Sequence, residues 1–184
     1  MPYPKAVAAI VMATTLACSG GDDPGATPED TDLPDMQATS AADLPDPCAL
    51  VTDEEISTLL WQDMNSAQRD ALQARNAQHT FTKRVENVDY PPSRTCYFQH
   101  RLAANDSLWS EGDFKVLTLA RETFDMLAGN SPGSQEAIPG VGDQAFYVSN
   151  AAYARRGDVG VEVVEFGSRD VEIELLKNAA SRLP

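Results

Sequence analysis

The chain predicts an α+β fold: one domain in which an antiparallel sheet is packed by helices on one face, preceded by a signal peptide and a disordered acidic tether. Three observations predict it. Helix-period apolar patterns stand at the two ends of the region 47–184, period-two patterns fill its middle, and the order runs helix, helix, strands, short helix, hairpin, helix. Ahead of that region lie a short apolar run and a stretch poor in apolar groups.

The first seventeen residues read as a leader. Met1 to Lys5 carries one positive charge and Ala6 to Leu16 is mostly apolar, which suits a signal peptide and is too short for a stable bilayer-spanning helix. The run ends at Thr15, Leu16, Ala17, Cys18. That ending resembles the bacterial lipobox, in which the thiol of the cysteine takes a diacylglycerol, although Thr15 stands where leucine is usual. Cys18 is thus the expected lipidation site, the alternative being an ordinary secretory signal with a chance cysteine. Each buried acyl CH₂ stabilises membrane binding by about 0.8 kcal/mol, so two or more chains hold a protein stably without a transmembrane helix. Ser19 lacks the aspartate that resembles an inner-membrane retention signal, so in a cell with two membranes the outer one is expected.

Residues 18–46 form the expected lipidated cysteine and linker. Between Ser19 and Asp46 lie eight acidic residues and no Lys or Arg, among Gly, Pro, Thr and Ala. Too few apolar groups are present to offset the entropy of ordering, and a flexible coil of that length spans about 30 Å, more with self-repulsion. The formal charge of the whole chain is −14. With thirteen Lys and Arg against twenty Asp and Glu, the rest of the mature chain disfavours phosphate backbones and anionic headgroups, so no nucleic-acid partner is expected.

The domain proper, 47–184, has a size that supports one core. Thr52 and Glu55 form a capping-box pattern, and Ile56, Leu59 and Leu60 recur at helical spacing, predicting a helix over 53–61. Ala67, Ala71 and Leu72 predict a second, surface helix over 66–76. Phe81 and Val85 suggest an extended segment. Cys96, Phe98, His100 and Leu102 then alternate with Tyr97, Gln99 and Arg101, a strand with one face inward. A polar turn at Asn105 and Asp106 leads to a buried strand over 114–120 and a short helix through Phe124 and Leu127. After a loop, 145–149 is extended, and a hairpin joins 151–155 to 159–166 around Gly157. In that last strand Val159, Val161 and Val163 share one face while Val164 and Phe166 share the other, a phase slip that predicts a bulge or burial on both sides. A closing helix over 169–182 is acidic at its start and basic at its end, as the helix dipole favours.

With Cys18 acylated, Cys48 and Cys96 remain, and in an oxidising compartment they are expected to pair; two separate buried thiols are the alternative. No cofactor and no metal are expected, because CxxC spacing is absent and a structural zinc needs four ligands.

Four stretches together resemble a family of small bacterial envelope lipoproteins of unknown function, common in actinobacteria. They are Pro47 to Glu55; Thr95, Cys96, Tyr97; Ile138 to Phe146 with its Gly-Val-Gly-Asp turn; and the Gly157 hairpin. The resemblance covers about two thirds of the domain and implies a disulfide between the two cysteines and a non-enzymatic envelope role. The second helix departs from the pattern as an apparent insertion.

Gly140 and Gly142 superficially look like a phosphate-binding loop, but a strand follows them rather than a helix, which favours a tight turn. Arg156, Gly157 and Asp158 spell an adhesion tripeptide in a position where turn chemistry wants Gly and Asp anyway. His79 and His100 sit in no HExxH or GxSxG motif and read as satisfied or edge histidines. Glu162 with Glu165, and Glu172 with Glu174, read as solvated faces. Tyr97, Tyr147 and Tyr153 fall on strands expected to be neighbours and form the candidate binding surface, aromatics on an uncovered sheet face.

Two functional readings follow. The first is a membrane-anchored envelope lipoprotein whose domain is a non-catalytic binding, sensing or structural module, with the membrane as one partner and an envelope protein or small ligand as another. The second is a small envelope hydrolase or chaperone with a scattered site, which would need a His, a carboxylate and a nucleophile within hydrogen-bond reach.

Overall fold

A computed structural model describes residues 40–105, 107–130 and 134–184, all within one compact unit, Gln37–Pro184. The leader, Cys18 and the tether up to residue 39 lie outside the described residues. The elements are α1 Asp53–Asp63, α2 Ser66–Gln73, β1 Gln78–Asp89, β2 Pro92–Ala104, β3 Ser107–Ala120, α3 Arg121–Asn130, β4 Glu136–Ala137, β5 Gln144–Val148, β6 Ala151–Arg156, β7 Val159–Val164 and α4 Arg169–Ser181. The strands form a seven-stranded antiparallel sheet in the order β1-β2-β3-β7-β6-β5-β4. The fold is therefore the α+β class that the pattern of elements predicts.

Strand alternation decides which side chains form the main core. Cys96 lies opposite Val116, Val116 opposite Val163, and Val163 opposite Ala152, so one row of apolar residues crosses four strands on the same face. Onto it pack Ile56 of α1 and Val171, Leu175, Leu176 and Ala179 of α4. Each large side chain so buried contributes about 1.5–3 kcal/mol. The other face carries a smaller cluster, in which α3 sets Phe124 against Leu119, Phe146 and Tyr153. It fits there because β7 has Gly160, where a Cβ would stand 2.9 Å from the Phe124 ring.

The ends of the helices follow the residues that cap them. Thr52 accepts from the Glu55 amide and Glu55 reaches back to the Thr52 amide, completing the expected capping box. Glu55 also takes both terminal nitrogens of Arg182, which ties the start of α1 to the end of α4. Cys48 and Cys96 form a disulfide, with Cα atoms 5.2 Å apart, so of the two alternatives for these thiols the bonded one is present.

One expectation needs correction. Packed structure begins ahead of Pro47: Ala41 and Leu44 are buried, Arg94 donates to the Leu44 carbonyl, and Thr118 donates to the Pro45 carbonyl at 2.9 Å. Composition alone cannot separate such a strap from a linker, because two apolar side chains suffice to dock it. The phase slip after Val163 reflects burial on both sides: Val161 and Val163 face the main core, while Gly160 and Val164 border the cluster under α3. β7 stops at Val164, and Glu165, at φ 68°, turns the chain so that Phe166 swings back to the helix-covered face against Phe98 and Phe114.

Candidate functional site

The tyrosine trio does not assemble into one surface. Tyr147 lies opposite Ala152 and therefore on the helix-covered face, beneath Arg169, whose guanidinium sits 5.2 Å from its ring, and beside Glu172. Burial, then Glu172, pushes its hydroxyl up to about 12. Tyr153, one residue out of phase, faces the other way, where it is buried on Phe146 and donates to Glu162 at 2.9 Å. Burial raises the pKa of both that tyrosine and Glu162. Tyr97 alone stands on sheet surface outside the apolar clusters, opposite Lys115 with the Arg84 guanidinium over its ring. The pleat, with its period of two, is what divides them.

Other candidate groups are engaged within the fold. Glu162 bonds Tyr153, Glu165 pairs with Lys115, and Glu174 pairs with Lys177. Glu172 is buried, contrary to a solvated face, because it accepts from the Phe166 amide across the turn that Glu165 makes. Burial raises its pKa above the usual carboxylate range. The carboxylates of each expected pair thus bind different partners. In the tripeptide, Arg156 donates to the Leu183 carbonyl, the Gly157 amide donates to Asp143, and Asp158 accepts from Arg121, so each residue is engaged within the fold. Gly140–Gly142 is a tight turn leading into β5.

The arrangement that sequence reasoning missed lies at the far end of β1 and β2. His79 and His100 meet there, Nδ1 to Nε2 at 2.7 Å, on the helix-facing side. They are 21 residues apart and become neighbours because Phe81 pairs with His100 and His79 with Leu102 in the antiparallel register. The inward register of His100 was legible; the alignment of β1 that brings His79 beside it was not. Trp61 meets His79 edge-on at 4.6 Å, and Phe114 stacks on His100 at 5.3 Å. Burial, then His100, lowers the His79 pKa to about 4, and burial lowers that of His100, so both rings are neutral at pH 7. One N–H then donates to the other ring's lone pair. Among the described residues, no group of three or more His, Cys, Asp and Glu converges on a metal position.

Beside this pair lies an apolar groove of about 310 Å³ between α2 and the distal ends of β2 and β3, floored by Leu72 and Leu102 and flanked by Met64, Ala71 and Trp109. Two local features build it. Asn65 caps α2, and Asn76, at φ 55°, reverses the chain so that Ala77 donates to the Leu72 carbonyl, seating Leu72 on Leu102. The β2–β3 register shifts between Leu102 and Ala103: Leu102 pairs with Ser110 and Ala103 with Leu108, leaving Trp109 as the extra residue. Such a bulge re-aims a side chain. Trp109 stands 47% exposed at the groove, with the Arg75 guanidinium 4.8 Å over its ring. Trp61 and Leu102 are common to the groove floor's apolar cluster and to the surroundings of the histidine pair.

The fold and the groove thus define a disulfide-bonded α+β domain with an aromatic, apolar cleft under its second helix. No protein-family model, curated protein or solved structure matches the chain. The resemblance to envelope lipoproteins rests on its four sequence stretches alone.

Proposed function

We propose that the chain is a membrane-anchored envelope lipoprotein, held through Cys18, whose folded domain is a non-catalytic binding module that takes the apolar part of a small ligand into the α2 groove. The observation that carries this reading is the half-exposed Trp109 standing over an apolar cleft of about 310 Å³. Small-molecule sites are concave, mostly apolar and supplied with a few polar groups, and Gln68, Ser110 and the nearby Arg75 are such groups here. The hydrolase reading finds less support. A catalytic His needs a carboxylate or nucleophile in reach, whereas the partners of His79 and His100 are each other and aromatic rings.

The test uses anilinonaphthalene sulfonate, an apolar anion that fluoresces when sheltered from water, with the full chain. Saturable binding is expected, weakened at least tenfold by Ala71→Trp, which fills the groove from the exposed side of α2. Binding that is absent, or indifferent to that substitution, overturns the assignment of the groove. The anchor is tested separately by mass spectrometry of the protein from its native host, where an intact leader or an unacylated Cys18 would exclude it.

A further inference from the structure

We propose that β1 is an interface between two copies of this chain, which pair edge to edge about a two-fold axis that sets Val85 against its own copy. β1 is the terminal strand of the sheet: twelve residues, Gln78–Asp89, pair with β2 in unbroken register, and among the described residues no strand lies on the other side. A long, regular edge presents a row of backbone donors and acceptors ready for another strand. The opposite edge of the sheet, β4, is only two residues long and offers no comparable template. β1 contains no Pro and its pairing with β2 no bulge. Its cations are already neutralised within the chain, Lys83 on Asp53 at 2.8 Å and Arg84 on Glu86. Val85 and Val88 are 40% and 43% exposed, large apolar groups left open to solvent.

Symmetry selects the register. An antiparallel pair of identical strands is related by a two-fold axis normal to the sheet, which keeps each face on its own side, so residues that oppose each other must have the same parity. The axis therefore lies midway between a residue and its own copy. Centred on Lys83, Arg84 or Glu86, it sets that charge against its own copy, which is destabilising. Centred on Val85, it sets Arg84 opposite Glu86 of the partner subunit, and does so twice. Val85 then faces Val85 of the partner subunit, and Thr82 faces Val88 of the partner subunit. Of all centres on the strand, this is the one that opposes Arg84 to an acid, and it joins the two sheets into one continuous sheet.

Light scattering of the full chain over a range of concentrations tests the interface. A concentration-dependent dimer is expected. Arg84→Glu, on an exposed side chain, should weaken association tenfold or more while leaving the circular dichroism unchanged, and the double change Arg84→Glu with Glu86→Arg should restore it. Val85→Cys should give a disulfide-linked dimer under mild oxidation, beyond any formed by the parent chain with its own Cys18, whereas Val88→Cys should not. A chain that stays monomeric at every concentration, a dimer untouched by Arg84→Glu, or a Val85→Cys chain that does not crosslink overturns the proposal.

Discussion

His79 and His100 share a single hydrogen bond, Nδ1 to Nε2 at 2.7 Å, and the remaining nitrogen of His79, Nε2, is buried without a hydrogen-bond partner among the described residues. One proton is enough for the contact between the two neutral rings. A second proton would place a charge among Trp61, Phe81 and Phe114.

Stability therefore depends on pH in a defined direction. The folded pKa of His79 is lowered from 6.5 to about 4. Between those values the unfolded chain binds more protons than the folded one, so stability is fully present above about pH 6.5 and is lost as the pH falls towards 4. Thermal melts at pH 7, 5.5 and 4.5 should show falling midpoints, and His79→Phe should flatten that dependence. A parallel decline in both proteins would remove His79 as the cause.

Gly140 and Gly142 both adopt positive φ in the turn before β5, yet their surroundings differ. A Cβ on Gly140 meets nothing within 4 Å, while one on Gly142 would lie 2.4 Å from the Arg155 carbonyl oxygen. Gly140→Ala should cost about 1 kcal/mol from backbone strain alone. Gly142→Ala should cost clearly more in urea denaturation, because backbone cannot move aside as a flexible side chain can. Equal costs would show that the close approach to Arg155 is relaxed in solution.

Opening the Cys48–Cys96 disulfide, by reduction or by replacing both cysteines with serine, should cost about 4 kcal/mol through the entropy regained by the unfolded chain. That is a large share of the 5–15 kcal/mol typical of a domain. The urea midpoint with and without reductant measures it. An unchanged midpoint would mean that the native packing around Cys96, fully buried in the main core, holds without the bond.

Glu55 joins three things: the Thr52 amide, the Thr52 hydroxyl and the Arg182 guanidinium. The hydrogen bond from Arg182, foremost among these, holds its carboxyl below the usual range. Thr52→Ala removes only the cap and should cost about 1 kcal/mol. Glu55→Ala also frees the end of α4 and should cost more, read as a lower thermal midpoint at pH 7. A cost no larger than that of Thr52→Ala would show that the Arg182 contact adds nothing.

The elements governed by local chemistry were legible in the sequence. Thr52 and Glu55 marked the start of α1, the alternation from Cys96 to Leu102 marked β2, and Gly157 marked the β6–β7 hairpin. What depended on register or on one unusual dihedral was not. His79 meets His100 only through a particular alignment of two strands, Trp109 reaches the groove only through a one-residue shift, and Phe166 returns to the core only because Glu165 adopts a left-handed conformation. The tyrosine surface failed for a related reason: residues on adjacent strands share a face only when their parity in the register agrees, and Tyr147 and Tyr153 differ by one step.

The two tryptophans of the chain, Trp61 and Trp109, both border the cluster of Leu72 and Leu102. Intrinsic ultraviolet emission thus observes a single corner of the molecule, while far-ultraviolet dichroism observes the entire sheet. Recording one denaturation by both signals compares the melting of that corner with the melting of everything else, and a gap between the two midpoints would show that α2 lifts away on its own.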